Sequence, residues 1–174
     1  MRKPDWYGER YPTETDLVSS AEAFGAWVSL RHIRAASYIP ATMGGPPMII
    51  VPNQRGPLAV AWALAHELGH LYQHSGPPPL SDGGAWPALN QIRSKNERQA
   101  NMWAAMALIP EARVRHYANA SVDAFIGALS ANYEDLPPDN CPQRELAHRI
   151  ATHRLDAMKA KIGKDGLESS PLEH

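Results

Sequence analysis

Residues 57–70 read Pro-Leu-Ala-Val-Ala-Trp-Ala-Leu-Ala-His-Glu-Leu-Gly-His, and this stretch predicts the central helix of the fold. Proline suits the first turn of a helix, and the apolar run after it predicts a helix buried in the core. His66 and His70 are four residues apart, so they lie on one face of that helix, a turn from each other. Two imidazoles at this spacing bind one zinc ion from the same side.

Glu67 lies about 100° further round the helix than His66. From there its carboxylate reaches a water beside the metal without binding the metal, as the general base of a zinc hydrolase must. The alternative is a surface helix that carries two histidines by chance. The apolar run argues against this alternative, because a buried helix would not carry His-Glu-x-x-His without partners for its polar groups.

A catalytic zinc usually has three protein ligands, and residues 96–101 contain a candidate for the third. They read Asn-Glu-Arg-Gln-Ala-Asn, and helical apolar spacing continues from Met102 until Pro110 ends it. Glu97 is therefore predicted in the first turns of a second core helix, where we interpret it as the third ligand. The alternative is a solvated carboxylate at a helix start, which the helix dipole also favours. Asn101, one turn on, is predicted to accept a hydrogen bond from the outer N–H of a zinc histidine.

Two blocks of sequence resemble the ImmA/IrrE metallopeptidases. The first is His-Glu-Leu-Gly-His-Leu-Tyr-Gln-His over residues 66–74, and the second is Glu-Arg-Gln-Ala-Asn-Met-Trp-Ala-Ala-Met-Ala-Leu-Ile-Pro over residues 97–110. The family pattern is close to H-E-[LI]-G-H-L-x-x-H followed by E-x-x-A-[ND]-x-F-A-x-x-L-L-M-P. Trp103 replaces the phenylalanine, and residues 107–109 differ from Leu-Leu-Met. No candidate ligand departs from the pattern.

The resemblance implies a gluzincin-like endopeptidase with one zinc ion per chain. It also implies a protein substrate, a helix-turn-helix repressor of a prophage, mobile element or stress regulon. The fold expected is α+β and mainly helical, with the zincin-like active-site helix beside a small β-sheet and further helices at both ends. In gluzincin-type enzymes a strand just before the zinc helix presents an edge, whose free N–H and C=O groups pair with a peptide of any sequence.

The composition restricts other classes of function. The chain has 174 residues, enough for one domain, and its net charge of −1 gives no electrostatic basis for direct binding of nucleic acid. A single cysteine, Cys141, excludes an internal disulfide framework and fits a reducing compartment. We interpret it as a bystander in a proline-rich turn in preference to a catalytic thiol. No stretch approaches the roughly 20 apolar residues of a membrane span, so a cytoplasmic protein without membrane partners is predicted.

The remaining patterns predict helices around a short sheet. A helix is predicted over residues 14–30 and strands over residues 33–39 and 48–51, because apolar residues recur at helical spacing in the first and β-branched residues dominate the last. Residues 75–90 are predicted to form a long loop, either a rim of the cleft or a connector without a role. Further helices are predicted over residues 111–118, 121–132 and 143–162.

These elements predict one zincin-like metallopeptidase domain over residues 1–162. Residues 163–174 are predicted to form a flexible tail, whose last three residues resemble the remnant of an expression tag. One face of the last helix is basic and is interpreted as solvated, with a docking patch for the substrate as the alternative; it comprises Arg144, Arg149, Arg154, Lys159 and Lys161.

The donor that would stabilise a substrate oxyanion is left open among several side chains. Tyr72 and His74 are the candidates nearest to the motif, as oxyanion donors or substrate contacts. For His74 a structural or helix-end role is favoured over that contact. The other candidates are His116, His148 and His153. The last two are five residues apart and diverge in angle, so they make a poor ligand pair.

Three other functions compete with a zinc peptidase. The first is a non-catalytic zinc-binding regulatory protein that acts by binding a repressor. The second is an accessory domain of a toxin–antitoxin module, and the third is a helical structural protein. The intact Glu67 argues against the first, and the absence of an evident helix-turn-helix pattern argues against the second.

Overall fold

The structure is a computed structural model that describes residues 3–31, 37–39, 45–52, 56–73, 86–114, 121–133, 136 and 141–168. Within these ranges there are six helices and one small three-stranded sheet, which confirms the predicted mainly helical α+β class. In chain order the elements are α1 (Glu14–Ala23), β1 (Trp27–Arg31), β2 (Ser37–Ile39), β3 (Met48–Pro52), α2 (Pro57–Gln73), α3 (Trp86–Leu108), α4 (Glu111–Val114), α5 (Val122–Asn132) and α6 (Pro142–Glu168).

Strand β3 lies in the middle of the sheet, between β1 and β2. It pairs in parallel with β1, where Val28 lies opposite Ile49, and antiparallel with β2, where Tyr38 lies opposite the same residue. The side chains of Ile49 and Val51 are fully buried where the sheet packs on α2. The strand immediately before α2 therefore presents no edge, and the edges among the described strands are β1 and β2. The sequence does not determine which strand is the edge, and the structure places the strand before the zinc helix in the centre of the sheet.

The first helix starts as predicted and ends earlier. Thr13 and Asp16 form a capping box at its start. At its end, Gly25 takes a φ of 73° and its N–H donates to the Glu22 carbonyl oxygen. The next N–H, of Ala26, donates to the carbonyl oxygen of Ala21, which completes a Schellman motif. The helix predicted to residue 30 therefore stops at Ala23, and the residues after the motif form β1.

Helix α3 begins before the predicted position, at Trp86. Pro87 occupies its first turn. The N–H groups of a first turn have no acceptor within the helix, so the lack of an N–H in proline costs no hydrogen bond there. The long loop predicted over residues 75–90 is thus helical from residue 86 onward, and residues 74–85 lie outside the described residues. Glu97 consequently lies in the middle of the helix and not in its first turns. The helix dipole favours carboxylates in the first turn, so it does not explain a carboxylate in the middle of α3.

Helix α6 continues beyond its predicted end at residue 162 to Glu168, so the first part of the predicted tail is helical. Two glycines, Gly163 and Gly166, suggest an earlier end. Each costs a helix only about 1 kcal/mol relative to alanine, which does not terminate it. Residues 169–174 lie outside the described residues, as do residues 115–118 of the predicted helix over 111–118.

The basic face predicted on the last helix is interrupted by Arg154, which is only 2% exposed. Its Nε donates to the carbonyl oxygen of Ile109 at 2.8 Å, at the end of α3. Arginine beside the last carbonyls of a helix satisfies acceptors that have no helical donor. Arg149 and Lys159 are exposed, as expected for a solvated face. Arg154 instead joins α6 to α3 through this hydrogen bond and does not belong to that face.

The two helices of the motif blocks cross at Gly69. A Cβ atom at this position would lie 3.0 Å from both the Cα and the carbonyl oxygen of Ala100. Both are backbone atoms, so they cannot move aside as a side chain would. Glycine is required here because it allows α2 and α3 to approach closely enough to share a site.

Gly69→Ala is therefore expected to destabilise the fold by about 1–3 kcal/mol, the usual cost of overpacking a core. Gly127→Ala is the matched control, because a Cβ at that position on α5 has nothing within 4 Å. The control should stabilise the protein by about 0.5–1 kcal/mol. Urea denaturation of both variants measures the difference, and equal free energies of unfolding would refute the close contact.

None of the helices in the described ranges is both long and apolar enough to cross a membrane.

Candidate metal centre

The crossing of α2 and α3 brings together His66, His70 and Glu97. His66 and His70 lie on one face of α2, and Glu97 reaches them from the middle of α3. The potential ligand atoms of the three side chains all lie within 4.8 Å of one another. The three residues that were predicted as ligands from their spacing are thus neighbours in space, although 27 residues of sequence separate His70 from Glu97.

The distances between these atoms fit a tetrahedral metal ion. The Nε2 atoms of His66 and His70 are 3.1 Å apart. The Glu97 carboxylate oxygens lie 3.4 Å from the Nε2 of His66 and 3.6 Å from the Nε2 of His70. Ligand atoms bonded to a tetrahedral zinc ion at its usual bond lengths lie about 3.3–3.6 Å from one another. These separations, with a different carboxylate oxygen of Glu97 facing each imidazole, are close to the edges of such a tetrahedron, and its fourth corner is unassigned.

Asn101 orients His66 in the way that the sequence predicts. The Nδ1 atom of His66 lies 2.9 Å from the Oδ1 atom of Asn101. A carbonyl oxygen only accepts, so Nδ1 carries the proton and Nε2 keeps its lone pair toward His70 and Glu97. Burial lowers the pKa of His66, which favours the neutral imidazole, the form that binds metals.

Replacing Asn101 with Ala is expected to weaken metal binding by about 10–100-fold, as loss of an outer partner of a metal histidine usually does. Asn132→Ala on α5 serves as the control, since its amide donates only to the Ala128 carbonyl oxygen within its own helix. Competition of each variant with a chromogenic chelator measures the dissociation constant. An unchanged constant in the Asn101 variant would show that the contact does not orient the histidine.

Glu67 is almost completely buried, with 6% of its surface exposed. Burial, together with the negative charge of Glu97, raises the pKa of its carboxyl group to about 7. A carboxyl group with a pKa near neutrality is suited both to accept and to donate a proton. The environment of Glu67 therefore differs from that of an ordinary surface carboxylate and agrees with the role predicted for a base.

Tyr72 does not lie with the candidate ligands. It is two residues beyond His70, about 200° round the helix, and its ring stacks on Trp103 with centroids 5.1 Å apart. Phe24 packs edge-on against the same ring. Tyr72 belongs to an aromatic cluster with Phe24 and Trp103. Its predicted oxyanion or substrate contact stays a prediction.

The histidines outside the motif differ in position. His74 and His116 lie outside the described residues, so their predicted roles stay predictions. His148 is exposed on α6. His153 lies beside Trp62, one turn before His66, a proximity that local sequence patterns do not reveal because it depends on how α6 packs.

Comparison of the sequence with known protein families identifies one family that matches this chain. The profile of the IrrE N-terminal-like domain, Peptidase M78, matches residues 21–124, which is more than half of the chain. Searches of curated proteins and of solved structures gave no match. The matched range contains α2, α3 and all three candidate ligands, and it confirms the resemblance to ImmA/IrrE proteins. The chain therefore belongs to the Peptidase M78 family and is a metallopeptidase with an IrrE N-terminal-like domain.

Proposed function

We propose that this protein is a zinc-dependent endopeptidase that cleaves a helix-turn-helix repressor in the cytoplasm. The observation that carries the proposal is the convergence of His66, His70 and Glu97 from two helices, with the buried Glu67 beside them. The repressor, of a prophage, mobile element or stress regulon, is inferred from the similarity to ImmA/IrrE proteins. The site and the substrate are therefore supported by different observations and need different tests.

Zinc is the metal that the donor set favours. Two imidazole nitrogens and one carboxylate oxygen form one of the known ligand sets of catalytic zinc. Their separations fit tetrahedral geometry, whereas magnesium and calcium prefer six or more oxygen ligands. His66, His70 and Glu97 would hold one zinc ion per chain. When bound, the ion supplies Lewis-acid chemistry, which activates a water molecule and polarises the peptide carbonyl group.

Glu67 performs the proton transfers in this proposal. Its carboxylate accepts a proton from the attacking water and delivers it to the amine that leaves when the C–N bond breaks. Its burial strengthens electrostatic interactions with the reacting groups, because little bulk water screens them. Asn101 contributes indirectly, since it fixes the tautomer of His66.

The substrate is held as an extended segment along an edge of the sheet. Because β3 is central, the available edges among the described strands are β1 and β2. Pairing through backbone groups is independent of the side chains of the substrate. Selection of the cleaved bond must then come from side-chain contacts near the metal ligands and from the exposure of a segment of the substrate protein.

The proposal is tested by incubating the zinc-loaded protein with a small helix-turn-helix repressor from the same genome, and a repressor encoded beside this gene would be the first choice. Mass spectrometry should show two fragments that sum to the intact repressor, and a chelator should prevent their formation. Stable binding of the repressor without fragments would instead support the alternative, a non-catalytic zinc-binding regulator. Fragments that persist in the presence of chelator would contradict metal-dependent cleavage.

A further inference from the structure

Trp62 and His153 lie together beside the candidate ligands, although they belong to different helices. Trp62 is one turn before His66 on α2, so it shares the face that carries both histidines. The centroids of the Trp62 and His66 rings are 6.1 Å apart. On α6, the ring of His153 lies 6.2 Å from the indole and is parallel to it within 3°. The indole of Trp62 therefore lies next to two imidazoles, that of the candidate ligand His66 and that of His153.

The two rings are held in place but not fully covered. Both residues are half-buried, so each keeps some surface in contact with solvent. The residue after His153 is the buried Arg154, which binds the carbonyl oxygen of Ile109 and fixes α6 against α3. A rigid pair of parallel rings next to the ligands is a suitable surface for recognising a side chain, because little conformational entropy is lost on contact.

The charged groups that act on His153 from α6 have opposite signs. Burial lowers the pKa of His153, which favours the uncharged imidazole. The charged groups that act on it from its own helix are Asp156 and Arg149, which have opposite signs, and from α2 it is influenced by His66. An uncharged aromatic side chain therefore suits this surface better than an acidic or basic one.

We propose that Trp62 and His153 form a subsite of the cleft that receives an aromatic side chain of the substrate next to the cleaved bond. The inference rests on the proposed peptidase function and specifies its substrate class. A substrate side chain next to the bond held at the ligands comes close to this ring pair, because the Trp62 ring lies 6.1 Å from that of His66. Aromatic side chains stack on such rings in offset or edge-on geometry, which corresponds to a preference of about two- to tenfold over aliphatic ones.

The test measures sequence preference in two ways with one random peptide library. The zinc-loaded Glu67→Gln protein is used to select bound peptides, and the protein with Glu67 intact is used to map cleaved bonds. Aromatic residues should be enriched at one position next to the cleaved bond. In His153→Leu and Trp62→Leu that enrichment should fall about two- to tenfold, with preferences at other positions unchanged. His153→Phe keeps a flat ring and should retain the enrichment, and His148→Leu on the exposed side of α6 should have no effect.

The possible results separate this inference from the proposed function. An enrichment of aromatic residues that is equal in the parent, His153→Leu and Trp62→Leu proteins would overturn the subsite. An equal loss at every position would overturn it too, because a merely structural role affects all peptides alike. Selection of aromatic peptides by binding, without any cleavage by the protein with Glu67 intact, would support the subsite and contradict the peptidase proposal alone.

Discussion

Glu67→Gln is expected to abolish peptide hydrolysis while leaving the metal bound. The substitution keeps the size of the side chain but removes the group that accepts the proton of the attacking water. General-base catalysis contributes about 10²–10⁴-fold to a rate, so the turnover number should fall by at least that range. The three candidate ligands are untouched, so metal content should stay at the wild-type level.

Two measurements on the same preparation check this expectation. Cleavage of the repressor is followed by mass spectrometry, and bound zinc is determined by elemental analysis. The change also removes a carboxyl group that is buried with a raised pKa, so the folded protein should not lose stability. A Glu67→Gln protein that cleaves its substrate at the wild-type rate would show that another group acts as the base.

Glu97→Ala is expected to remove the metal and the activity together. It deletes the only ligand that α3 contributes to the group of three, and leaves two imidazoles that bind a metal much less tightly. The loss in affinity should exceed the roughly 10–100-fold expected for outer partners such as Asn101. His70→Ala should act in the same way, because it removes a ligand from the other helix.

Glu22→Ala is a suitable control for these ligand variants, since Glu22 is an exposed carboxylate on α1. Isothermal titration of the metal-free proteins with zinc gives the affinities. The control should bind one zinc ion per chain with the affinity of the wild type. If Glu97→Ala also retained full affinity, Glu97 would be a bystander near the histidines and not a ligand.

The local features of the site could be read from the sequence because each depends on residues within one turn of a helix. His66, Glu67 and His70 depend only on helical periodicity. The N-terminal caps at Thr13 and Ser121 depend on the same short-range chemistry, because each side chain accepts a hydrogen bond from the backbone N–H three residues on. The partner of His66 was also predictable, because Asn101 is one turn from Glu97 and shares its face.

Two predicted helix boundaries are wrong although local sequence signals mark the correct ones. The helical spacing of Leu17, Ala21, Phe24 and Val28 continues past Gly25, yet a glycine followed by an apolar residue is the signal of a Schellman end. Pro87 similarly marks the start of α3. At both places the backbone preference of one residue, glycine at a helix end and proline in a first turn, decides the helix boundary, and the predicted boundary is wrong.

Other features depend on contacts between distant segments and leave no local pattern. The order of the strands places β3 in the centre of the sheet, which periodicity along one strand does not determine. Helical spacing alone assigns Arg154 to a solvated face of α6. The packing of α6 against the end of α3 is what buries it beside the carbonyl oxygen of Ile109. The proximity of His153 to Trp62 likewise follows from the packing of α6.

The central claim is that His66, His70 and Glu97 jointly bind one metal ion, and anomalous X-ray diffraction at the zinc edge tests it most directly. Crystals of the zinc-loaded protein should show one strong anomalous peak per chain. It should lie about 2.0–2.2 Å from the Nε2 atoms of both histidines and from an oxygen atom of Glu97. An ion bound elsewhere, or bound by the two histidines while the Glu97 carboxylate turns away from it, would contradict the account.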